Sequence, residues 1–353
     1  MWRRWSGGVM LAALVAVALT TTVHAEAEDD PFASVHRSMA RRVRADDLSG
    51  GMVLVRRGDE VLDRRAYGHV NGRTVIPIAS ASKWLTAATL MTLVDEGRLS
   101  LDDAVADHLP GFGGGKGGVR VRHLLAHTSG LAYDPCIGDR ETTTAACTAR
   151  IAAGPDPATR PGTRFVYSSV GYEVAARLIE VLTGDSFEHA FEARIARLLG
   201  MTATRFDAYA GGRGSHPVPA ASATSTVDDY ERFVGMMANR GVAPGGARIL
   251  SEQSVAEIER DQVAGIDTSA DPAVQTTGIP TYGLGVWRDV VGPDGQVRVL
   301  SGSGAYGFYP WIDRRHGTYG IVGVADVAHG ADHAVPASQR QARAAWRVAA
   351  RIP

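Results

Sequence analysis

Apolar and polar positions along the chain fall into two regimes. Met52–Arg57 and Val61–Tyr67 are short β-type runs separated by Arg57-Gly58-Asp59-Glu60, the pattern of an antiparallel hairpin. Near the other end, Tyr282–Asp289, Val297–Ser301, Gly307–Asp313 and Thr318–Ala325 are also strand-like. Gly, Asp and Pro turns part them, such as Gly292-Pro293-Asp294-Gly295. A last segment, Ala337–Arg351, carries apolar residues at helical spacing. Between these ends the period is helical. Ala81–Glu96 stops at Gly97, Tyr172–Thr183 at Gly184, and Val227–Asn239 near Gly241. Asp185 is placed to cap Phe187–Leu199, with Glu188 at capping-box spacing and Gly200 at the end. Strands do not alternate with helices, which disfavours a doubly wound parallel sheet. The pattern predicts an α+β fold. One antiparallel sheet comes from both chain ends (residues 35–75 and 280–353), with the terminal helices packed on it. Residues 76–279 form a mainly helical lobe.

The first residues read differently. Arg3 and Arg4 precede a continuous apolar run, Val9–Leu19, and Val23-His24-Ala25 is a small-x-small site. The run is too short to span a bilayer as a helix, so residues 1–25 read as a signal peptide cut after Ala25. A buried N-terminal helix is the weaker alternative. The expected mature chain, 26–353, is secreted, with no cysteine after the cut to carry a lipid and no later membrane span. In an oxidising compartment, Cys136 and Cys147 read as a loop-stapling disulfide; two buried thiols are the alternative.

Composition narrows the function. The 353 residues carry a formal net charge of −1, so no basic excess exists for nucleic acid. Of 37 Lys and Arg, only Lys83 and Lys116 are lysine. Gly302-Ser303-Gly304-Ala305-Tyr306-Gly307 matches a dinucleotide fingerprint by letter, but a strand-like run follows where the fingerprint needs a helix. Gly113–Gly118 reads as a flexible surface loop around Lys116, not a phosphate loop. His329 and His333 are a close histidine pair without a visible third ligand, so no metal and no cofactor are expected.

The chemistry concentrates at Ser80-Ala81-Ser82-Lys83. Ser80 opens a helix whose sides are nearly all apolar: Trp84, Leu85, Ala88, Leu90, Met91, Leu93 and Val94. Residues i and i+3 share a face, which sets Lys83 one turn from Ser80. Burial lowers a lysine pKa, and a neutral amine can take a serine proton. Arginine cannot, because it stays charged. The bland alternative is a Ser N-cap beside a snorkelling surface lysine.

A chain of short motifs, in order, resembles the serine β-lactamase and penicillin-binding-protein superfamily, in particular its class C-like branch of esterases and D-amino peptidases. The matching stretches are Ile78–Lys83, Leu93–Asp103, Arg122–Leu131, Pro161–Ser169, Tyr282–Trp287 and Gly302–Asp313. The resemblance implies a β-lactamase/transpeptidase-like fold. It makes Ser80 the nucleophile, and Lys83 and Tyr167 the groups that move protons, with Tyr167 a general base or relay. The backbone N–H groups of Ser80 and Ala305 would form an oxyanion hole. The second motif, Tyr-x-Asn, is here Tyr167-Ser168-Ser169, so Ser169 replaces an amide. The third, Lys-Thr-Gly or His-x-Gly, is here Gly302-Ser303-Gly304, so its cation is missing while Ser303 and Gly304 still border the substrate. Arg288, Arg298 or Arg314 could restore the charge from elsewhere. His127, in the His-Thr-Ser-Gly turn, is assigned to structure. The implied partner is a small-molecule ester, amide or cell-wall peptide, with β-lactams disfavoured by the lost cation. A non-catalytic peptidoglycan or acyl-ligand binder of the same fold is the alternative, and a redox or nucleotide enzyme has only the discarded glycine motif behind it.

Overall fold

Both chain ends build one sheet. The computed structural model describes residues 30–206 and 216–353; the expected signal peptide, residues 1–25, lies outside the described residues. The hairpin strands are β1 (Gly50–Arg57) and β2 (Glu60–Gly68). The short strands β3 (Ile76–Pro77), β4 (Arg205–Phe206) and β5 (Ala223–Ser225) follow. The C-terminal strands are β6 (Trp287–Val291), β7 (Val297–Ser301), β8 (Tyr309–Asp313) and β9 (Thr318–Gly323). The large sheet runs β2-β1-β9-β8-β7-β6, antiparallel throughout. The first and last of the long strands therefore meet at the centre, with Met52 opposite Gly323.

Alternation along β1 explains why it sits inside. Val53 and Val55 face the first helix, Ala33–Ala45, and the last, Ala331–Ala349, in a core with Met39, Val322 and Trp346. Met52 and Leu54 face the opposite way, into a larger core with Trp84, Phe233 and Ile321. Burial on both faces needs apolar residues at consecutive positions, and β1 supplies them. Within the larger core lies the helix Ser82–Asp95, whose residues from Ser82 to Leu93 are all buried.

Four expectations shift. The strand expected from Tyr282 begins at Trp287, because Gly283 N–H closes a turn onto the Val286 carbonyl and Gly285 takes φ +80°. A Cβ at Gly285 would lie 2.8 Å from the Lys83 carbonyl, so the segment tucks against the helix of Lys83. The cap of the helix at Phe187 is Ser186, not Asp185: its side chain accepts from the His189 N–H. The last helix starts at Ala331, with Pro336 inside its early turns. The loop at Gly113–Gly118 is not free, since Lys116 is buried and donates to the Gly154 carbonyl at 2.7 Å.

Candidate active site

Strands β3 and β5 pair, and the Ile78 N–H extends the pairing to the Ala223 carbonyl at 3.0 Å. The chain then turns sharply. Ala79 has φ +45°, and Ala79–Ala81 form a 3₁₀ turn before the helix Ser82–Asp95. A left-handed alanine costs about 1 kcal/mol. Ser82 offsets it: Oγ donates to the Ala79 carbonyl at 2.6 Å and accepts the Ala223 N–H at 3.0 Å. Such hydrogen bonds contribute roughly 1 kcal/mol each. Ser80 is thus held on a rigid turn, partly exposed. It makes no N-cap bond, because the residue before the helix is Ala81.

Lys83 does not snorkel. It is 2% exposed, and Nζ donates to Ser80 Oγ at 3.2 Å and to the Ala220 carbonyl at 3.0 Å. Nζ also lies 4.5 Å from the centre of the Tyr167 ring and 5.5 Å from that of Tyr172. Ring faces favour the cation, but desolvation wins and brings the amine down to about 7. No carboxylate among the described residues pairs with it.

Tyr167 is positioned from both sides of its backbone. Its own N–H donates to Asp271 Oδ2 at 2.8 Å, and the next N–H, of Ser168, donates to His127 Nδ1 at 3.2 Å. Asp271 uses its other oxygen to cap the helix Pro272–Thr277 through the Ala273 N–H at 2.9 Å. Burial pushes the Tyr167 phenol up to about 12, against hydrogen bonds to Ser80 and Tyr282 that hold it down. The resting group at neutral pH is therefore a phenol, which suits a relay better than a general base. His127 is enclosed by Phe165, Tyr167, Tyr172 and Tyr282, with ring centres 4.3 Å from Tyr167 and 5.1 Å from Tyr282. Burial, then the charge of Lys83, moves it well below the usual histidine range. The Ser168 N–H assigns its proton to Nε2, which leaves Nδ1 as an acceptor. It anchors the tyrosine segment.

The third motif crosses the Ser80 turn closely. A Cβ at Gly304 would lie 2.2 Å from the Ile78 carbonyl, so only glycine allows this approach. It sets Ala305, one residue on, beside the turn that carries Ser80. Gly302 faces elsewhere than expected. A Cβ there would lie 2.9 Å from Trp84 Cε3 and 3.6 Å from the Tyr230 hydroxyl, which itself donates to the Ala81 carbonyl at 2.8 Å. Trp84 and Tyr230 thus crowd the place where a side chain at 302 would start. Ser303 is buried, and its Oγ has no hydrogen-bond partner among the described residues. Ser169 is partly buried and precedes the helix Val170–Thr183 without capping it through its side chain. The three candidate arginines are engaged: Arg288 with Asp261, Arg298 with Asp294, and Arg314 with Glu259. Sequence reasoning gave no role to Ser82, Tyr230, Asp271 and Tyr282, although Ser82 and Tyr282 lie in matched stretches, because their backbone and ring contacts leave no mark in spacing.

The family described as Beta-lactamase matches residues 35–345. The chain belongs to the β-lactamase family. A penicillin-binding protein 4 from Amycolatopsis lactamdurans is 34% identical over 63% of this chain and 68% of its own length. Protein flp of Staphylococcus aureus (strain COL) is 28% identical over 45% of this chain, and the match spans only about a third (35%) of that relative. A solved structure from Bacteroides dorei DSM 17855, described as a candidate β-lactamase, is 32% identical with a TM-score of 0.81, covering 90% of this chain and 98% of that one. The strand–helix–strand reading and the family resemblance are both borne out. The family places this chain among serine hydrolases of the β-lactamase and penicillin-binding-protein fold. The dinucleotide reading has no place in it: β8, not a helix, follows Gly302–Gly307.

Proposed function

We propose that the chain is an exported serine hydrolase that acts through an acyl-enzyme on an ester or amide, with short-chain esters and D-amino peptides preferred to β-lactams. One observation carries this reading. A buried lysine without a carboxylate partner, brought down to about 7, lies 3.2 Å from the oxygen of Ser80. Near neutral pH much of it is amine. Ser80 Oγ attacks the substrate carbonyl while its proton passes to Lys83 Nζ. The N–H groups of Ser80 and Ala305 take the charge on the tetrahedral oxygen. The Tyr167 phenol gives its proton to the leaving group and is refilled from Lys83, a relay suited to a tyrosine held protonated. Water then attacks the acyl-enzyme by the reverse route and releases the acid. Ser169, Ser303 and Gly304 border the substrate. The disulfide joining Cys136 and Cys147 supports export to an oxidising compartment.

The preference for neutral substrates follows from Gly302 and from the three paired arginines. β-Lactams carry a carboxylate, as do peptides that end in D-alanine, and none of these three arginines is free to hold it, so the preferred D-amino peptides are those without a carboxylate at that place. The test compares p-nitrophenyl acetate and butyrate with nitrocefin, in wild type and Ser80→Ala. Ester turnover that depends on Ser80, with little nitrocefin turnover, is expected. If no Ser80-dependent turnover of any ester or D-alanyl peptide is found, the chain is a binding protein of the same fold.

A further inference from the structure

Three elements converge behind the turn that carries Ala305. Asp326 follows β9, and its N–H donates to the Tyr306 carbonyl at 2.8 Å. Its side chain is buried, and Oδ2 has no hydrogen-bond partner among the described residues. Towards that carboxylate come His329 and His333, which the sequence left without a third ligand. His329 Nδ1 is 2.7 Å from Asp326 Oδ1, and His333 Nε2 is 4.0 Å from Oδ2. One donor atom from each of the three lies within 4.8 Å of the others. Asp46, at the end of the first helix, adds Oδ2 at 3.0 Å from His333 Nε2.

We propose that Asp326, His329 and His333, with Asp46 as fourth donor, form a site for a divalent transition-metal ion of the zinc class. The donor set argues for that class. Two imidazoles with carboxylates suit zinc and its neighbours, whereas calcium and magnesium take oxygen. Zinc draws its ligands to about 2.0–2.2 Å. The two histidines can close by that amount, because their side chains are 41% and 45% exposed while Asp326 is fixed. Arg42 stands 3.6 Å from Asp326 Oδ2 and donates Nε to Asp46 Oδ2 at 3.4 Å, while its other nitrogens go to Ser338, Gln341 and the Ala334 carbonyl. It offsets charge on both carboxylates, Asp46 and Asp326, without a hydrogen bond to the orphaned Asp326 oxygen. The other histidine cluster offers no such site, since Cys147 beside Glu173 and His216 is locked in the disulfide. A bound ion would tie the first helix, the segment after β9 and the last helix together. Through Asp326 it would also stiffen the Ala305–Tyr306 turn.

The test uses the untagged full chain, stripped with a chelator and titrated with Zn²⁺ by calorimetry. Co²⁺ absorption reports the ligand type, and the thermal midpoint is followed with and without zinc. One equivalent should bind with a mixed nitrogen and oxygen spectrum, and the midpoint should rise. His329→Ala and His333→Ala, each with wild-type circular dichroism, should weaken binding at least about tenfold. Absence of saturable binding overturns the proposal. So does unchanged affinity in the His329→Ala/His333→Ala double variant.

Discussion

At Lys83 two tendencies compete, and the outcome sets the pH range of the proposed chemistry. Rings of Tyr167 and Tyr172 favour the charged amine, while complete burial favours the neutral one and prevails, at about 7. As the proposed base, Lys83 works only when neutral. The kcat/KM for a neutral ester should therefore rise tenfold per pH unit below about 7 and level off above it. A flat profile from pH 5 to 9 would remove Lys83 as the base. Lys83→Arg keeps a permanent cation and should lower kcat/KM by roughly 10²–10⁴, measured on folded protein of unchanged circular dichroism. This residue was legible because lysine is so rare in the chain that its place three positions after a serine stood out. His127 was assigned to structure, and the contact it makes, with the Ser168 N–H, was hidden. A histidine accepting the N–H of Ser168 leaves no trace in spacing, because the partners are 41 positions apart.

Elements with a strong period were read well, and those shaped by contact were not. Strands β1, β2, β7, β8 and β9 stand within about two residues of where alternation put them. β3, β4 and β5 span two or three residues each, too few for any period to register. The Tyr282 segment has strand composition yet turns, since tertiary packing against Lys83 overrides local preference. The third motif tests this dependence directly. Gly304→Ala would push a Cβ into the Ile78 carbonyl and move Ala305. It should lower kcat by about 10²–10³, the cost of one oxyanion donor, with a smaller change in KM. The disulfide closes a loop of 11 residues between the His127 turn and Tyr167. Reduction should destabilise the protein by about 3 kcal/mol in urea unfolding. Peptide mapping without reductant should join Cys136 to Cys147, and two alkylatable thiols in unfolded, unreduced protein would contradict the bond.

Across the whole molecule, charge placement underlies the proposed preference for neutral substrates. Arg288, Arg298 and Arg314 are each committed to a carboxylate, and a side chain at 302 would start against Trp84. Gly302→Lys, which the motif alone would suggest as a way to restore the cation, should overpack the core and lower the thermal midpoint instead. Loss of one charge-assisted hydrogen bond costs about 1.5–3 kcal/mol, or roughly one to two decades of efficiency on carboxylate-bearing substrates. Short-chain p-nitrophenyl esters should therefore exceed nitrocefin in kcat/KM by at least about tenfold. All of this presupposes a covalent intermediate on one serine. The most direct measurement is intact mass after treatment with a fluorophosphonate, followed by peptide mapping. A single adduct on Ser80, formed faster as the pH rises through 7 and absent in folded Ser80→Ala, is the expected result. No adduct on the folded wild type, or an equal adduct on Ser80→Ala, would contradict the account.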